Sequence, residues 1–183
     1  MPQYTSSDPD VRIATACETR ESPRVRLGLA DWRRPELLDT FYPAELPEEW
    51  RLSYYASQFT CVWLDHSAWA DLTPALAQQW REDTGRSFRF VLEAGDPGFV
   101  SGQGSEAGEA LARLGERLAG VMDADHPSLI WLEPDVDLRT LNDVLRRWLD
   151  GEGWGGDLYL LARKVDLATL EQVETLLGLY SLG

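Results

Sequence analysis

The residues best suited to chemistry in this sequence are polar side chains that directly follow short apolar runs. They are Asp31, Asp65, His66, Glu93, Glu133 and Arg163. Carboxylates supply the oxygen ligands that Mg²⁺ and Mn²⁺ prefer, a histidine adds a ligand or a general base, and an arginine clamps an anionic substrate. If the apolar runs are parallel strands, their C-terminal ends meet at one edge, which is where α/β proteins place their sites.

Three candidate sets follow, each with a structural alternative. The candidate catalytic residues are Asp65, His66, Glu93 and Arg163, and the candidate ligands of a divalent metal are Asp31, Asp65 and Glu133. A candidate ligand pocket for a planar or sugar-like molecule comprises the aromatic residues Trp32, Phe41, Tyr42 and Trp69. The alternatives are that the 31 acidic residues are simply common in loops, and that the aromatic residues pack in the core.

Composition bounds the class of protein. The chain has 183 residues, 44% of them hydrophobic, and a formal net charge of -14. This acidic balance argues against nucleic acid, because phosphate contact needs clustered lysine and arginine. No apolar run approaches the ~20 residues of a membrane span, and the N-terminus lacks a secretory signal, so we expect a cytoplasmic protein. Cys17 and Cys61 are too few for a disulfide scaffold.

The chain alternates strand and helix patterns. Apolar runs at 25–30, 60–65, 87–94, 128–133 and 157–163 predict strands, and amphipathic or capped segments between and after them predict helices, one with its apolar face over 107–121. Nearly continuous apolar strands are typical of a sheet buried on both faces. We therefore predict one α/β domain over 24–183, with a parallel sheet of about five to six strands built from β-α units, and a tail or edge strand over 1–23.

Two glycine-rich segments and one lysine have weaker functional interpretations. Residues 151–156 match G-x-G-x-x-G, but a helix precedes them and a strand follows, which is the wrong context for a nucleotide site. The loop 95–105 has the right context to cradle a phosphate, yet it carries acids and no lysine, so a glycine-rich connection is favoured. Lys164 is the only lysine, and a surface position is favoured over a Schiff base.

An aromatic frame early in the chain carries a family resemblance. It consists of Gly28 and Trp32, then 41–43 (Phe-Tyr-Pro), 54–56 (Tyr-Tyr-Ala) and Phe59, followed by Trp80 and the pair Phe88 and Phe90. This frame resembles the YecE-like family (domain of unknown function 72), whose members look like modified TIM barrels. A complete barrel usually needs about 250 residues. The resemblance therefore implies a truncated or incomplete TIM-barrel-like domain, which stops where the family continues through its last strands.

The polar positions depart from the family pattern. Tryptophan stands at Trp63 and Trp131, where the resemblance implies a glutamate and a glutamine. Asp65 replaces an asparagine and Glu93 a lysine, and the Glu-x-Arg pair of the fifth strand becomes Leu161-x-Arg163. Tryptophan fills volume and does no acid-base work, so the resemblance implies a site that is degraded or rebuilt.

Two functional hypotheses remain. The first is an uncharacterised YecE-like protein that is catalytically degenerate and acts as a binding or scaffold protein, as a homodimer that covers the incomplete sheet edge. The second is a small metal-dependent hydrolase or lyase, which uses the strand-end carboxylates and Mg²⁺ or Mn²⁺ on an anionic small molecule.

Overall fold

The computed structural model describes residues 24–95, 105–152, 156–164 and 166–180. The predicted N-terminal edge strand and most of the glycine-rich loop 95–105 lie outside these residues. The described residues contain six strands and seven α-helices, and helices separate all consecutive strands except β4 and β5. The strands are β1 (Val25–Ala30), β2 (Cys61–Leu64), β3 (Arg89–Glu93), β4 (Leu118–Met122), β5 (Leu129–Leu132) and β6 (Leu158–Ala162). The helices are α1 (Pro35–Thr40), α2 (Arg51–Gln58), α3 (His66–Trp69), α4 (Pro74–Asp83), α5 (Glu106–Leu114), α6 (Leu138–Arg147) and α7 (Leu167–Leu179).

All six strands belong to one parallel sheet. Its order is β4-β3-β2-β1-β6-β5, with Gly28 of β1 opposite Cys61 on one side and opposite Leu161 on the other. This confirms the predicted α/β class and the count of five to six strands. Because β1 and β6 are neighbours, the last strand of the chain already lies beside the first one. The break in the sheet therefore falls between β4 and β5.

The sheet is curled into an incomplete barrel. Its two edge strands, β4 and β5, are joined by only the six residues 123–128. In a flat six-stranded sheet these edges would lie about 24 Å apart. The seven Cα–Cα steps from Met122 to Leu129 span at most about 25 Å, and the chain must also return along the length of a strand, so a flat sheet leaves the connection too short. The indole rings of Trp63 on β2 and Trp131 on β5 meet at 5.4 Å between centroids, although two strands separate them in the sheet. Curling brings both edges together and creates an inner and an outer face.

The two faces carry separate cores. On the outer face, the helices pack over an extensive core that includes Leu29, Val62, Phe90 and Leu160. The inner face has a smaller core made of Ala30, Cys61, Trp63, Val91, Leu129, Tyr159 and Leu161. Both cores bury β1 and β2 completely, which explains their continuous apolar sequences. Burial raises the pKa of the Cys61 thiol far above its usual range, so this thiol is no ready nucleophile.

One predicted helix ends early. The apolar spacing extended its face to Val121, but α5 ends at Leu114 and the residues from Leu118 form β4. Gly115 adopts φ 57 and ψ -131, a backbone conformation that glycine reaches more readily than other residues, and it turns the chain out of the helix. Leu118 and Val121 are apolar in either structure, so their spacing alone could not distinguish the end of a helix from a strand.

Short polar side chains cap the N-termini of two helices. The Thr73 hydroxyl accepts a hydrogen bond of 3.2 Å from the Leu76 amide, and Pro74 begins α4. The Asp166 carboxylate similarly accepts from the Ala168 amide at 3.1 Å at the start of α7. Both caps agree with the sequence prediction. Within the described residues, no helix has the length and apolar character needed to cross a membrane.

The N-terminal end of the barrel is closed by a buried ion pair. Arg26 on β1 is almost fully buried, and its guanidinium contacts the Asp157 carboxylate and the Ser87 carbonyl oxygen. Together with Tyr159 and Cys61, these groups fill the inner face below the tryptophan pair. The interior is therefore a packed core rather than a pore, and it leaves open space at the C-terminal ends of the strands.

Candidate functional site

A cavity of about 740 Å³ lies at the C-terminal ends of the strands. Its volume is within the range of small-molecule sites, roughly 300–1,000 Å³. Three acidic and three basic side chains face it together with an alanine and an indole. The lining residues are Ala30, Asp31, Arg34, Asp65, Glu93, Trp131, Arg163 and Lys164. The structure thus brings together four of the strand-end residues that the sequence predicted: Asp31, Asp65, Glu93 and Arg163.

Two carboxylates on the β2 and β3 side are held in place by single protein donors. Oδ1 of Asp65 accepts a hydrogen bond from the Trp63 indole nitrogen at 2.8 Å. Oε2 of Glu93 accepts one from the backbone amide of His66 at 2.9 Å. Each bond engages one oxygen, and no donor from the described residues bonds to the other oxygen of either carboxylate. These two acids are oriented by the fold and still have acceptor capacity.

Asp31 lies between the acidic and the basic side. Its amide continues the pairing of β1 with β2 by donating to the Trp63 carbonyl at 2.8 Å, and its φ of 53 lies in the left-handed region. Aspartate tolerates that region better than most residues. Its carboxylate forms an ion pair with Arg33 at 2.9 Å. Asp31 therefore turns the chain out of β1 with its charge already paired.

The basic side follows β6. The Arg163 guanidinium stacks on the Trp131 ring at 4.2 Å from the centroid, and Lys164 is the next residue. Arg34 donates from its guanidinium to the Arg163 carbonyl oxygen and pairs with Glu36 at 3.3 Å. No ion pair joins Arg163 or Lys164 to a carboxylate of the described residues. Two cations thus face the cavity with their charge not offset by an acid.

A pair of tryptophans forms the base of the cavity. Trp63 and Trp131 meet edge to face at 5.4 Å with an interplanar angle of 80°. The Trp131 indole nitrogen donates to the Ala124 carbonyl at 2.8 Å, which ties β5 to the segment that leaves β4. Edge-to-face aromatic packing and both indole hydrogen bonds hold the pair rigidly. The tryptophans that the resemblance marked as departures from the family pattern therefore fill the space directly below the cavity.

Two predicted site residues lie outside the cavity lining. His66 is the first residue of α3, where its ring meets Trp69 edge to face at 5.3 Å. A Cβ atom added to Gly95 would lie 2.3 Å from its Nε2, so the backbone of the next loop passes directly over the imidazole. Glu133 is exposed after β5. Neither residue faces the cavity with Asp65 and Glu93.

The candidate metal ligands do not form a metal centre. Across the residues that the structure describes, no group of three or more His, Cys, Asp and Glu side chains is arranged to hold a metal ion. Asp31 and Asp65 share the cavity, but Asp31 is paired with Arg33 and Glu133 lies elsewhere. A role for Mg²⁺ or Mn²⁺ stays a prediction.

The four aromatic residues predicted as a ligand pocket pack within the protein. Trp32 meets Trp80 edge to face at 4.9 Å, and Tyr42 donates from its hydroxyl to the Trp32 carbonyl at 2.6 Å. Phe41 packs against Tyr42 at 4.9 Å, and Trp69 is only 2% exposed and donates to the Glu93 carbonyl at 3.1 Å. None of the four lines the cavity. These contacts favour the structural alternative, in which the four residues hold the loops around the site, and the ligand pocket stays a prediction.

Sequence reasoning missed four lining residues: Ala30, Arg34, Trp131 and Lys164. The sequence positions of three of them are close to predicted strand ends and could have indicated a place at the site. Ala30 ends β1, Trp131 belongs to β5, and Lys164 directly follows Arg163 after β6. Arg34 lies in the loop between β1 and α1, which fixes nothing about its direction until the fold is known.

Comparisons with known proteins agree on one family. A family model described as a protein of unknown function, DUF72, matches residues 26–157. Two crystal structures of a DUF72 family protein from Enterococcus faecalis V583 are similar at 17% identity, with TM-scores of 0.37 and 0.35. They cover 84% and 85% of this chain, which spans only 57% and 58% of theirs. No curated protein matches. Because the family model matches more than half of the sequence, the chain belongs to the DUF72 family.

Proposed function

We propose that this protein binds a small anionic molecule in the strand-end cavity and does not transform it. One observation carries the proposal. The guanidinium of Arg163 faces a cavity of about 740 Å³ without a carboxylate partner among the described residues, and it is stacked on the Trp131 ring at 4.2 Å. Stacking on an indole fixes the plane of a guanidinium and leaves its edge donors free for an anion.

The surroundings of Arg163 favour an anion that is gripped from two sides. Lys164 adds a second cation on the same side of the cavity. The Arg34 guanidinium donates a hydrogen bond to the carbonyl oxygen of Arg163 and so holds the main chain there. A planar guanidinium binds a carboxylate or phosphate with two parallel hydrogen bonds, and the neighbouring ammonium adds charge without a fixed geometry. The three residues together support recognition of one anionic group.

The acidic side supports binding more than catalysis. A general acid or base must reach the reacting atom with a proton to give or accept. Asp65 and Glu93 are each fixed by a hydrogen bond that serves the structure, to the Trp63 indole and to the first turn of α3. This chain has Trp63 on β2 and Trp131 on β5, at two positions where the resemblance implies polar residues. These features are the support for a catalytically degenerate site.

A metal-dependent enzyme is the alternative, favoured only by three carboxylates in one cavity. We expect Mg²⁺, Mn²⁺ and Zn²⁺ each to leave the melting temperature unchanged within the scatter of replicates, because the acids are not grouped as ligands. Thermal denaturation with each metal salt is the measurement, and Asp65→Ala and Glu93→Ala are the variants. Stabilisation by a metal that both variants abolish would replace the binding proposal with the enzyme.

The anion proposal predicts a large effect at Arg163. We expect Arg163→Gln to weaken binding of succinate, acetate or inorganic phosphate by about tenfold or more, because a charge-assisted bidentate contact contributes more than ~1.4 kcal/mol. Titration calorimetry measures the affinity, and melting curves show whether the variant is folded. Arg147→Gln is the matched control, since Arg147 is an exposed arginine on α6 outside the cavity. Equal affinity in wild type and Arg163→Gln would exclude the proposal.

The predicted homodimer stays a prediction. In the proposed dimer, the second chain would cover the edge strands β4 and β5, whose residues are mostly half-buried rather than fully buried. The cavity lining comes from one chain, so the binding proposal does not depend on dimer formation.

A further inference from the structure

We propose, on the basis of the proposed function, that the ligand is a small zwitterion whose two charges are several carbon atoms apart. Its anionic group, a carboxylate, binds Arg163 and Lys164. Its ammonium group binds Asp65 and Glu93. The class is that of the ω-amino acids, and the arrangement of charge around the cavity points to it.

Opposite charges are separated along the sheet. Glu93 is the last residue of β3 and Asp65 follows β2, so both acids lie on one side of β1. Arg163 and Lys164 follow β6 on the other side of β1. The end of β1 between them offers Ala30, whose small side chain leaves room, and Asp31, which Arg33 has already neutralised. The cavity therefore has an acidic end and a basic end, and the one acid between them is already in an ion pair.

The two ends do not neutralise each other. Although both line the same cavity, Arg163 and Lys164 form no ion pair with Asp65 or Glu93. Contacts within the protein fix the charged groups at each end: Arg163 is stacked on Trp131, and the Trp63 indole nitrogen donates a hydrogen bond to Asp65. Unpaired opposite charges that share one cavity are complementary to a ligand carrying both signs.

The free acceptor atoms fit an ammonium group. Oδ1 of Asp65 and Oε2 of Glu93 accept bonds from the protein, which leaves Oδ2 of Asp65 and Oε1 of Glu93 without a donor among the described residues. An ammonium group has three donors and no acceptor, so it can satisfy both oxygens together. A ligand with only a negative charge would meet these two acids as repulsive neighbours.

The distance across the sheet favours an extended zwitterion. Strands β2 and β6 are separated by β1 alone, so their backbones lie two strand spacings, or about 10 Å, apart. An α-amino acid holds both of its charges on one carbon centre and would reach one end at a time. A chain of several methylene groups reaches both ends and can lie across Ala30.

The test compares ligands of equal length and different charge by titration calorimetry. The probes are 4-aminobutyrate and 6-aminohexanoate, with pentanoate and heptanoate as monoanions in which a methyl group replaces the ammonium group, butylamine as a monocation and glycine as a short zwitterion. We expect at least one of the two ω-amino acids to bind tenfold or more tightly than the monoanion of equal length and than glycine. Arg163→Gln should weaken binding of the ω-amino acid and of the monoanion together.

The acidic end is tested with a double variant, Asp65→Asn with Glu93→Gln, which preserves side-chain size. It should reduce the affinity for the ω-amino acid to that for the monoanion, whereas Asp143→Asn with Glu171→Gln, exposed acids outside the cavity, should leave it unchanged. Melting curves verify that each variant is folded.

The outcomes separate the two proposals. Monoanions that bind as tightly as the ω-amino acids, with affinity lost in Arg163→Gln, would overturn the zwitterion and leave the anion-binding function intact. A preference for ω-amino acids that the double variant keeps would also overturn the zwitterion assignment. If no anionic or zwitterionic probe binds, both proposals are overturned.

Discussion

Replacing Gly28 with alanine is expected to lower the free energy of unfolding by about 3 kcal/mol or more, at or beyond the upper end of the usual cost of overpacking a core. A Cβ atom at this position would lie 2.1 Å from the Cys61 carbonyl oxygen and 2.7 Å from its carbonyl carbon. Both are backbone atoms of β2, directly opposite Gly28 in the sheet. The clash can be relieved only by moving one strand away from the other.

The effect at Gly28 is steric and not conformational, because its φ is not in the left-handed region. Moving β1 away from β2 would disturb the pairing of Asp31 with Trp63 at the end of the same ladder. The position therefore couples the stability of the barrel to the geometry of the cavity. Since small domains are stable by only about 5–15 kcal/mol, a loss of this size would leave a substantial unfolded fraction at modest denaturant concentrations.

Urea denaturation of Gly28→Ala, followed by tryptophan fluorescence, measures the loss. Gly178→Ala is the matched control, since Gly178 lies on α7 with no atom within 4 Å of the added carbon. That control should be neutral or stabilising by up to about 1 kcal/mol, because alanine is the better helix former. A Gly28→Ala midpoint at or above that of the wild type would show that the two strands have more freedom than this geometry implies.

The sequence predicts the strands and most helices of this fold because each is a local pattern. Continuous apolar runs marked β1, β2 and β5, and Thr73 and Asp166 marked the starts of two helices. The closure of the sheet was not predictable in this way. Pairing of β6 with β1 joins residues more than 130 positions apart, as in Val25 opposite Leu158, and no local pattern encodes it. Consequently the sequence alone does not show whether the sheet is open or closed, or which strands form its edges.

The site residues that could be predicted are those whose place depends only on being at the C-terminal end of a strand. Asp65, Glu93 and Arg163 end or directly follow strands, and the C-terminal ends of parallel strands converge whatever the details of the sheet. His66 also follows a strand, yet it starts α3 and its ring is covered by the loop at Gly95. In both cases a polar residue stands at the end of a strand, and the direction of its side chain decides whether it faces the cavity. That direction depends on the packing of α3 and not on the strand.

The identity of the residues below the cavity decides what kind of site it is. Trp63 is 1% exposed and occupies the inner face of β2, where it meets Trp131 and donates to Asp65. One side chain thus fills the inner core and orients a carboxylate of the candidate site. Substitutions of Trp63 can separate these two roles, because filling the core depends on the volume of the side chain and orienting Asp65 depends on the indole nitrogen.

Trp63→Ala is expected to lower the free energy of unfolding by about 3–5 kcal/mol, the usual cost of removing a large buried aromatic side chain. It leaves a cavity below Trp131 that neighbouring strands cannot fill without moving. Trp50→Ala is the control, since Trp50 is 64% exposed and its loss should change stability by less than about 0.5 kcal/mol. Chemical denaturation of both variants measures the difference, and similar midpoints for the two would mean that the inner core contributes little to the fold.

Trp63→Phe then isolates the hydrogen bond to Asp65. Phenylalanine keeps most of the buried aromatic surface and removes the indole N–H, so we expect a smaller loss of stability than in Trp63→Ala. Without its donor at 2.8 Å, the Asp65 carboxylate is no longer held toward the cavity. Affinity for a zwitterionic probe should therefore fall, while affinity for the monoanion, which depends on Arg163, should not. A parallel loss for both probes would mean that Trp63 supports the cavity through packing alone, and that orientation of Asp65 by the indole has no functional role.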